Sequence, residues 1–211
     1  MQKTIFGFSL LTLISVSHSS INPSDLIKVN KESNPQCVEY YNYKGDTYCS
    51  TKRLQTNGAS ITEAIRNSEK QNIVFDNRVW QAAWGKQDNT ITTIEYLPAG
   101  DNIDDWKELI TTQFIPNGQK PITPKDYLEL ILNNFKQAGL NPKITIWEQT
   151  PKQIIFEFQV TSPTNLQQDE LQKITETPKG LYLLHYVMKQ SDMGQDHRQG
   201  WLNNLKASSI K

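Results

Sequence analysis

The sequence predicts an α+β protein: one antiparallel β-sheet with helices packed against it on both faces. Two observations lead there. Runs of alternating or β-branched residues are joined by tight turns, which only antiparallel neighbours permit. Apolar residues at helical spacing are grouped between and after those hairpins rather than alternating with single strands. A length of 211 residues suits one domain of ordinary size.

The chain opens with a segment outside the fold. Lys3 supplies a positive start, Thr4 to Val16 (TIFGFSLLTLISV) is an apolar run too short to span a bilayer, and Ser17-His18-Ser19 offers small residues for cleavage. Residues 1–19 therefore read as a secretory signal peptide cut after Ser19. A soluble, exported protein is expected, periplasmic or extracellular. Residues 20–35 read as a flexible leader. Residues 36–58 read as a hairpin with its connector, and 59–211 as the single α+β domain. Export gives the two cysteines their meaning: in an oxidising compartment Cys37 and Cys49 are expected to form one disulfide, closing CVEYYNYKGDTYC as a hairpin turning at Lys44-Gly45-Asp46.

The elements follow in order. Ser60 and Glu63 have capping-box spacing, and Ile61, Ala64 and Ile65 give a short helix an apolar face, over about Ile61 to Lys70. Val79 to Trp84 and Thr90 to Leu97 are strands around a loop at Gly85 to Asn89, with Trp80, Ala82 and Trp84 on one face at period two. Pro98 and Gly100 break the second strand. Asn102 then caps a helix whose stripe is Ile103, Trp106, Leu109, Ile110 and Phe114, with Asp104 and Asp105 in its first turn. Thr123, Pro124 and Asp126 open a second helix that ends at Gly139. Two hairpins come next: Lys143–Glu148 with Gln153–Val160, and Leu171–Thr177 with Leu181–Met188. The chain closes on a helix capped by Asp196, with Trp201, Leu202 and Leu205 facing inward.

The series WQAAWGKQDNTITTIEYLPAGDNIDDWKELITTQF, followed by a helix, a hairpin, KGLYLLHYVMK and the Trp201 helix, resembles small exported bacterial proteins of unknown function with Mog1/PsbP/DcrB-like character. Those proteins also place a Trp-centred acidic helix after a strand–Pro–x–Gly turn. The resemblance covers about Phe75 to Leu205 and leaves out the cysteine hairpin. It implies an αβα sandwich around an antiparallel sheet, and it brings no catalytic residues.

Motif chemistry is sparse. There is no GxSxG elbow, Walker lysine, GxGxxG, HExxH or EF-hand loop. With 22 basic and 22 acidic residues and no basic run, nothing favours nucleic acid as a partner. Beyond the signal segment the histidines are His185 and His197, and a metal site on Asp192, Asp196 and His197 competes with a plain polar loop and helix cap. No catalytic residue, metal or cofactor is assigned. The expected function is non-enzymatic binding of a protein or small-molecule partner. Tyr40, Tyr41, Tyr43 and Tyr48 on the hairpin and Trp80 and Trp84 on the first strand are the candidate contacts, since such side chains supply stiff amphipathic area. The alternative is a hydrolase or other enzyme with an acidic site around Asp101, Asp104, Asp105 and His197. Capping and the helix dipole account for those three acids without a site.

Overall fold

The structure is a computed structural model that describes residues 21–30, 36–54, 61–118 and 122–211. The expected signal peptide, part of the leader and part of the connector lie outside the described residues. After a 3-10 turn at Pro23–Asp25 the elements are β1 (Ile27–Lys28), β2 (Glu39–Tyr43), β3 (Asp46–Ser50), α1 (Glu63–Ser68), β4 (Gln71–Asn72), β5 (Trp80–Gln87) and β6 (Thr92–Pro98). They continue with β7 (Glu108–Pro116), α2 (Pro124–Gln137), β8 (Lys143–Thr150), β9 (Gln153–Val160), β10 (Gln168–Thr177), β11 (Gly180–Met188), α3 (Gln195–Ala207) and β12 (Ser209–Ile210).

Ten strands form one antiparallel sheet in the order β1-β3-β2-β5-β6-β7-β11-β10-β9-β8, and β12 pairs with β4 in a second, two-stranded sheet. Of the described residues 42% are in strands and 24% in helices, which corrects the expectation of an α+β αβα sandwich: the fold is mostly antiparallel β. The Cys37–Cys49 disulfide is present, and its hairpin is no appendage, because β2 pairs with β5 at Tyr41↔Gln81 and Asn42↔Trp80.

The largest departure is the helix expected after Asn102. The cap itself forms, with Asn102 Oδ1 accepting from the Asp104 amide at 3.0 Å, yet it serves a single 3-10 turn, Ile103–Asp105. The chain then becomes β7, a central strand between β6 and β11. Leu109 packs with Ala83, Leu97 and Val187, while Ile110 packs with Tyr96 and Tyr186 in another cluster. A strand buried on both faces reads as a nearly continuous apolar run, so helical spacing in the same letters carries no information. The β-branched run Ile110-Thr111-Thr112 favours the strand.

Two further differences have local causes. A bulge between Ala82 and Trp84 breaks the period-two pattern, so Trp80 is fully buried while Trp84 is 37% exposed and opposite Glu95. Gly85 is a strand residue rather than a turn residue. A Cβ there would lie 2.7 Å from Ile65 Cγ2, so the glycine is what lets α1 lie against β5. The last helix is entered through Gly194 at φ 80°, with Asp196 inside its first turn. The helix at 124–137 forms as its letters indicate: Thr123 and Asp126 make a reciprocal capping box.

The core has two sides. Leu171, Leu184, Tyr186, Trp80, Trp201, Leu202 and Leu205 cluster beneath α3, with Ile61 of the α1 entry. Ile154, Phe156, Phe158, Ile174 and Leu183 cluster on the opposite face beneath Leu128 of α2. Trp106, behind the 3-10 turn, covers the rest of that face, with the Lys189 ammonium 4.1 Å from its ring centroid.

Candidate functional site

The site begins with α1. Thr62 Oγ1 caps it by accepting from the Ile65 amide at 3.3 Å, and Ile61 and Ile65 lie against Gly85. That seating brings Arg66 to Tyr40 of the disulfide hairpin and Glu69 to Tyr96 and Thr112 of the sheet. The helix ends at once, because Glu69 is extended and its Oε1 accepts from the Gln71 amide at 2.7 Å. Its Oε2 accepts from the Tyr96 hydroxyl at 3.2 Å and from the Thr112 hydroxyl. Gln71 Nε2 donates to the Leu183 carbonyl at 2.9 Å, and β4 is paired by β12. That pairing delivers Lys211, whose amide donates to the Lys70 carbonyl at 2.7 Å and whose ammonium donates to the Glu69 carbonyl at 3.3 Å.

These groups enclose a cavity of about 160 Å³ between α1, β4 and the β2–β3 hairpin. Tyr40, Arg66, Glu69, Phe75, Tyr96 and Lys211 are among the side chains in its wall. The Arg66 guanidinium lies over the Tyr40 ring, 4.8 Å from its centroid. Its Nη2 donates to Asn67 Oδ1 at 2.7 Å. Its Nε is buried without a hydrogen-bond partner, and among the described residues no carboxylate is ion-paired with it. Burial raises the Tyr40 phenol, with Arg66 pulling the other way, and burial together with the Glu69 carboxylate raises the Tyr96 phenol strongly. Both phenols therefore stay protonated across the physiological range; the Tyr96 O–H is given to Glu69, and the Tyr40 O–H can donate.

Strand alternation splits the tyrosine group. Tyr40 is the member that lines this cavity. Tyr41 is fully buried elsewhere, donating to Glu39 Oε2 at 2.8 Å. Tyr43 and Tyr48 meet edge to face, 6.4 Å between ring centres, on the Tyr41 side of the hairpin. Trp80 is in the core and donates to Asp76 Oδ1 at 2.9 Å; Trp84 is outside on the other face.

The acids and His197 go to different partners. Asp104 and Asp105 are exposed in the 3-10 turn. His197 Nε2 lies 2.5 Å from the Tyr186 hydroxyl, which donates to Glu108 Oε2 at 2.7 Å. Glu108 also accepts from Arg78 Nη2 at 2.8 Å, and Arg78 is bound in turn by Asp76. Tyr186 is fully buried and stacked on Trp201 with a 3.9 Å centroid separation, so this column fastens α3 to β7 and β11. Asp192 accepts from Arg198 Nη2 at 2.6 Å, and the same guanidinium holds Glu157 and Asp169. His185 sits on the α2 side, with Nδ1 2.8 Å from Glu170 Oε1.

A model of an uncharacterised protein family matches residues 68–211. The chain belongs to that family. Comparison with curated proteins gives no match. Neither result connects the family with Mog1/PsbP/DcrB-like proteins. The span shared with the family includes Glu69, Tyr96 and Lys211 of the cavity wall, whereas Tyr40 and Arg66 precede it. No helix among the described residues is long and apolar enough to cross a membrane.

Reading the letters in order finds Tyr40 and misses Arg66, Glu69, Tyr96 and Lys211. The signal that could have found part of it is the pair Arg66 and Glu69 at i,i+3 on a short capped helix. The pairing of β4 with β12, two residues each, leaves no periodic trace.

Proposed function

We propose that this is an exported, non-enzymatic binding protein, acting in the periplasm or outside the cell, and that its ligand seats in the cavity between α1, β4 and the disulfide hairpin. One observation carries the reading: a concave, polar-walled space of about 160 Å³ with the Arg66 guanidinium over the Tyr40 ring and the Tyr40 phenol at hand. Convergent polar groups in a preformed hollow are how small-molecule sites fix orientation. The volume corresponds to about five water molecules, so a small solute or one terminal group of a larger ligand fits. The Cys37–Cys49 disulfide supports export, and it also stiffens the hairpin that forms one wall.

Two measurements test this. The protein recovered from outside the cytoplasm should begin at Ser20 by N-terminal mass spectrometry; a chain starting at Met1 in the cytoplasm would refute export. A thermal-shift screen of small polar solutes should give hits that disappear in Thr47→Trp, which fills the cavity from β3. Hits that survive that substitution would place binding elsewhere.

A further inference from the structure

We infer that the cavity is an oxyanion site, with the Arg66 guanidinium taking the carboxylate or phosphate group of the ligand and Lys211 as a second cation. The inference rests on the cavity being the binding site and specifies what binds there. The charged groups in the wall are Arg66, Lys211 and Glu69. Glu69 is committed within the protein, accepting from the Gln71 amide, the Tyr96 hydroxyl and the Thr112 hydroxyl. Arg66 is not committed in that way: it donates to the neutral Asn67 side chain and meets the neutral Tyr40 phenol.

The Arg66 Nε is shut away from water, and among the described residues no carboxylate is paired with this guanidinium, so its charge is available to a ligand. Two other arginines are paired with acids, one exposed and one half-buried. Arg78 has Asp76 and Glu108, and Arg198 has Glu157, Asp169 and Asp192. Contact with the Tyr40 ring restrains the Arg66 guanidinium in advance, so less side-chain freedom is lost when its N–H groups meet a planar or tetrahedral oxyanion. The protonated Tyr40 phenol in the same wall is a neutral donor that tolerates an anion.

The test is isothermal titration of the full chain with acetate, inorganic phosphate, acetamide and methylammonium, on wild type, Arg66→Gln, Lys211→Gln and Thr47→Trp. Melting temperatures establish that each variant is folded. Acetate or phosphate should bind, at least tenfold more tightly than acetamide, with no binding of methylammonium. Arg66→Gln should weaken the anion at least tenfold, Lys211→Gln by less, and Thr47→Trp should abolish it. Preference for acetate over phosphate assigns a carboxylate ligand, and the reverse assigns a phosphate ester. Acetamide matching acetate, or unchanged anion affinity in Arg66→Gln, overturns the oxyanion inference while loss in Thr47→Trp still upholds the cavity. Indifference of every probe to Thr47→Trp overturns both.

Discussion

Asp88 shows how much a single exposed carboxylate can do at the residue scale. Its Oδ1 accepts from the Thr90 amide at 2.9 Å, the Thr90 hydroxyl at 2.6 Å and the Ile91 amide at 3.1 Å. Those donors stabilise the charged form and hold its pKa at about 2. Since the folded value is depressed, the contribution is complete above the unfolded pKa and is lost as pH falls through the folded one. An NMR titration should find the Asp88 midpoint near 2 and a hairpin turn that loosens only below it; a midpoint at the ordinary aspartate value would contradict this. Arg198 makes the opposite case in the interior. Burial pushes the Glu157 carboxyl up, against the pull of Arg198, and the neighbouring Asp169 is fully buried. Arg198→Leu would strand both and should cost about 3–5 kcal/mol. Without the cation the Glu157 carboxyl, already raised by burial, would be raised further, so the deficit should shrink at low pH and grow as pH rises through its folded value. Equal urea midpoints for variant and wild type at pH 5 and 8 would refute that linkage. Lys173 is a buried cation with no ion pair among the described residues: its ammonium donates to the carbonyls of Leu205, Lys206 and Ser208 at the end of α3. Burial lowers its pKa, so its contribution to stability rises as pH climbs toward the unfolded value.

At the scale of elements, the disulfide hairpin and α1 are the parts that shape the site. Cys37 and Cys49 are twelve positions apart, a loop whose closure stabilises by about 3 kcal/mol in the chain-entropy picture. The Cys37→Ser/Cys49→Ser variant should lose about that much in urea denaturation and should also loosen the Tyr40 wall; an unchanged midpoint would mean β2–β5 pairing alone holds the hairpin. Gly85→Ala tests α1, because the added Cβ meets Ile65 Cγ2 at 2.7 Å and Ile61 Cγ2 at 3.1 Å. The overpacking should cost about 1–3 kcal/mol and displace Arg66 with the helix. Legibility also divides at this scale. The capping box at Thr123, the hairpins at 143–160 and 168–188 and the buried face of Trp201, Leu202 and Leu205 are local or periodic, and each could be read from its own letters. β7 could not, because burial on both faces erases the period that distinguishes strand from helix. The Trp84 flip could not either, since a bulge is one residue of irregularity with no composition of its own.

For the molecule as a whole, one long sheet brings distant segments into register. The cavity takes Tyr40 from the hairpin, Arg66 from α1, Tyr96 from β6 and Lys211 from beyond β12. Its chemistry was hidden because it is assembled by pairings such as Ser209↔Asn72, which join residues far apart in the chain. The sheet places Glu108, rather than Asp104 or Asp105, at the Tyr186–His197 contact. The most direct test of the account is a two-dimensional NMR titration of the ¹⁵N-labelled full chain with acetate and with phosphate, following the amides and the Arg66 Nε–H. The account predicts saturable shifts concentrated at Arg66, Thr47, Asn72 and Lys211, with the Nε–H among the largest. Shifts centred on the α2 face or the exposed Trp84, with Arg66 unmoved, would contradict it.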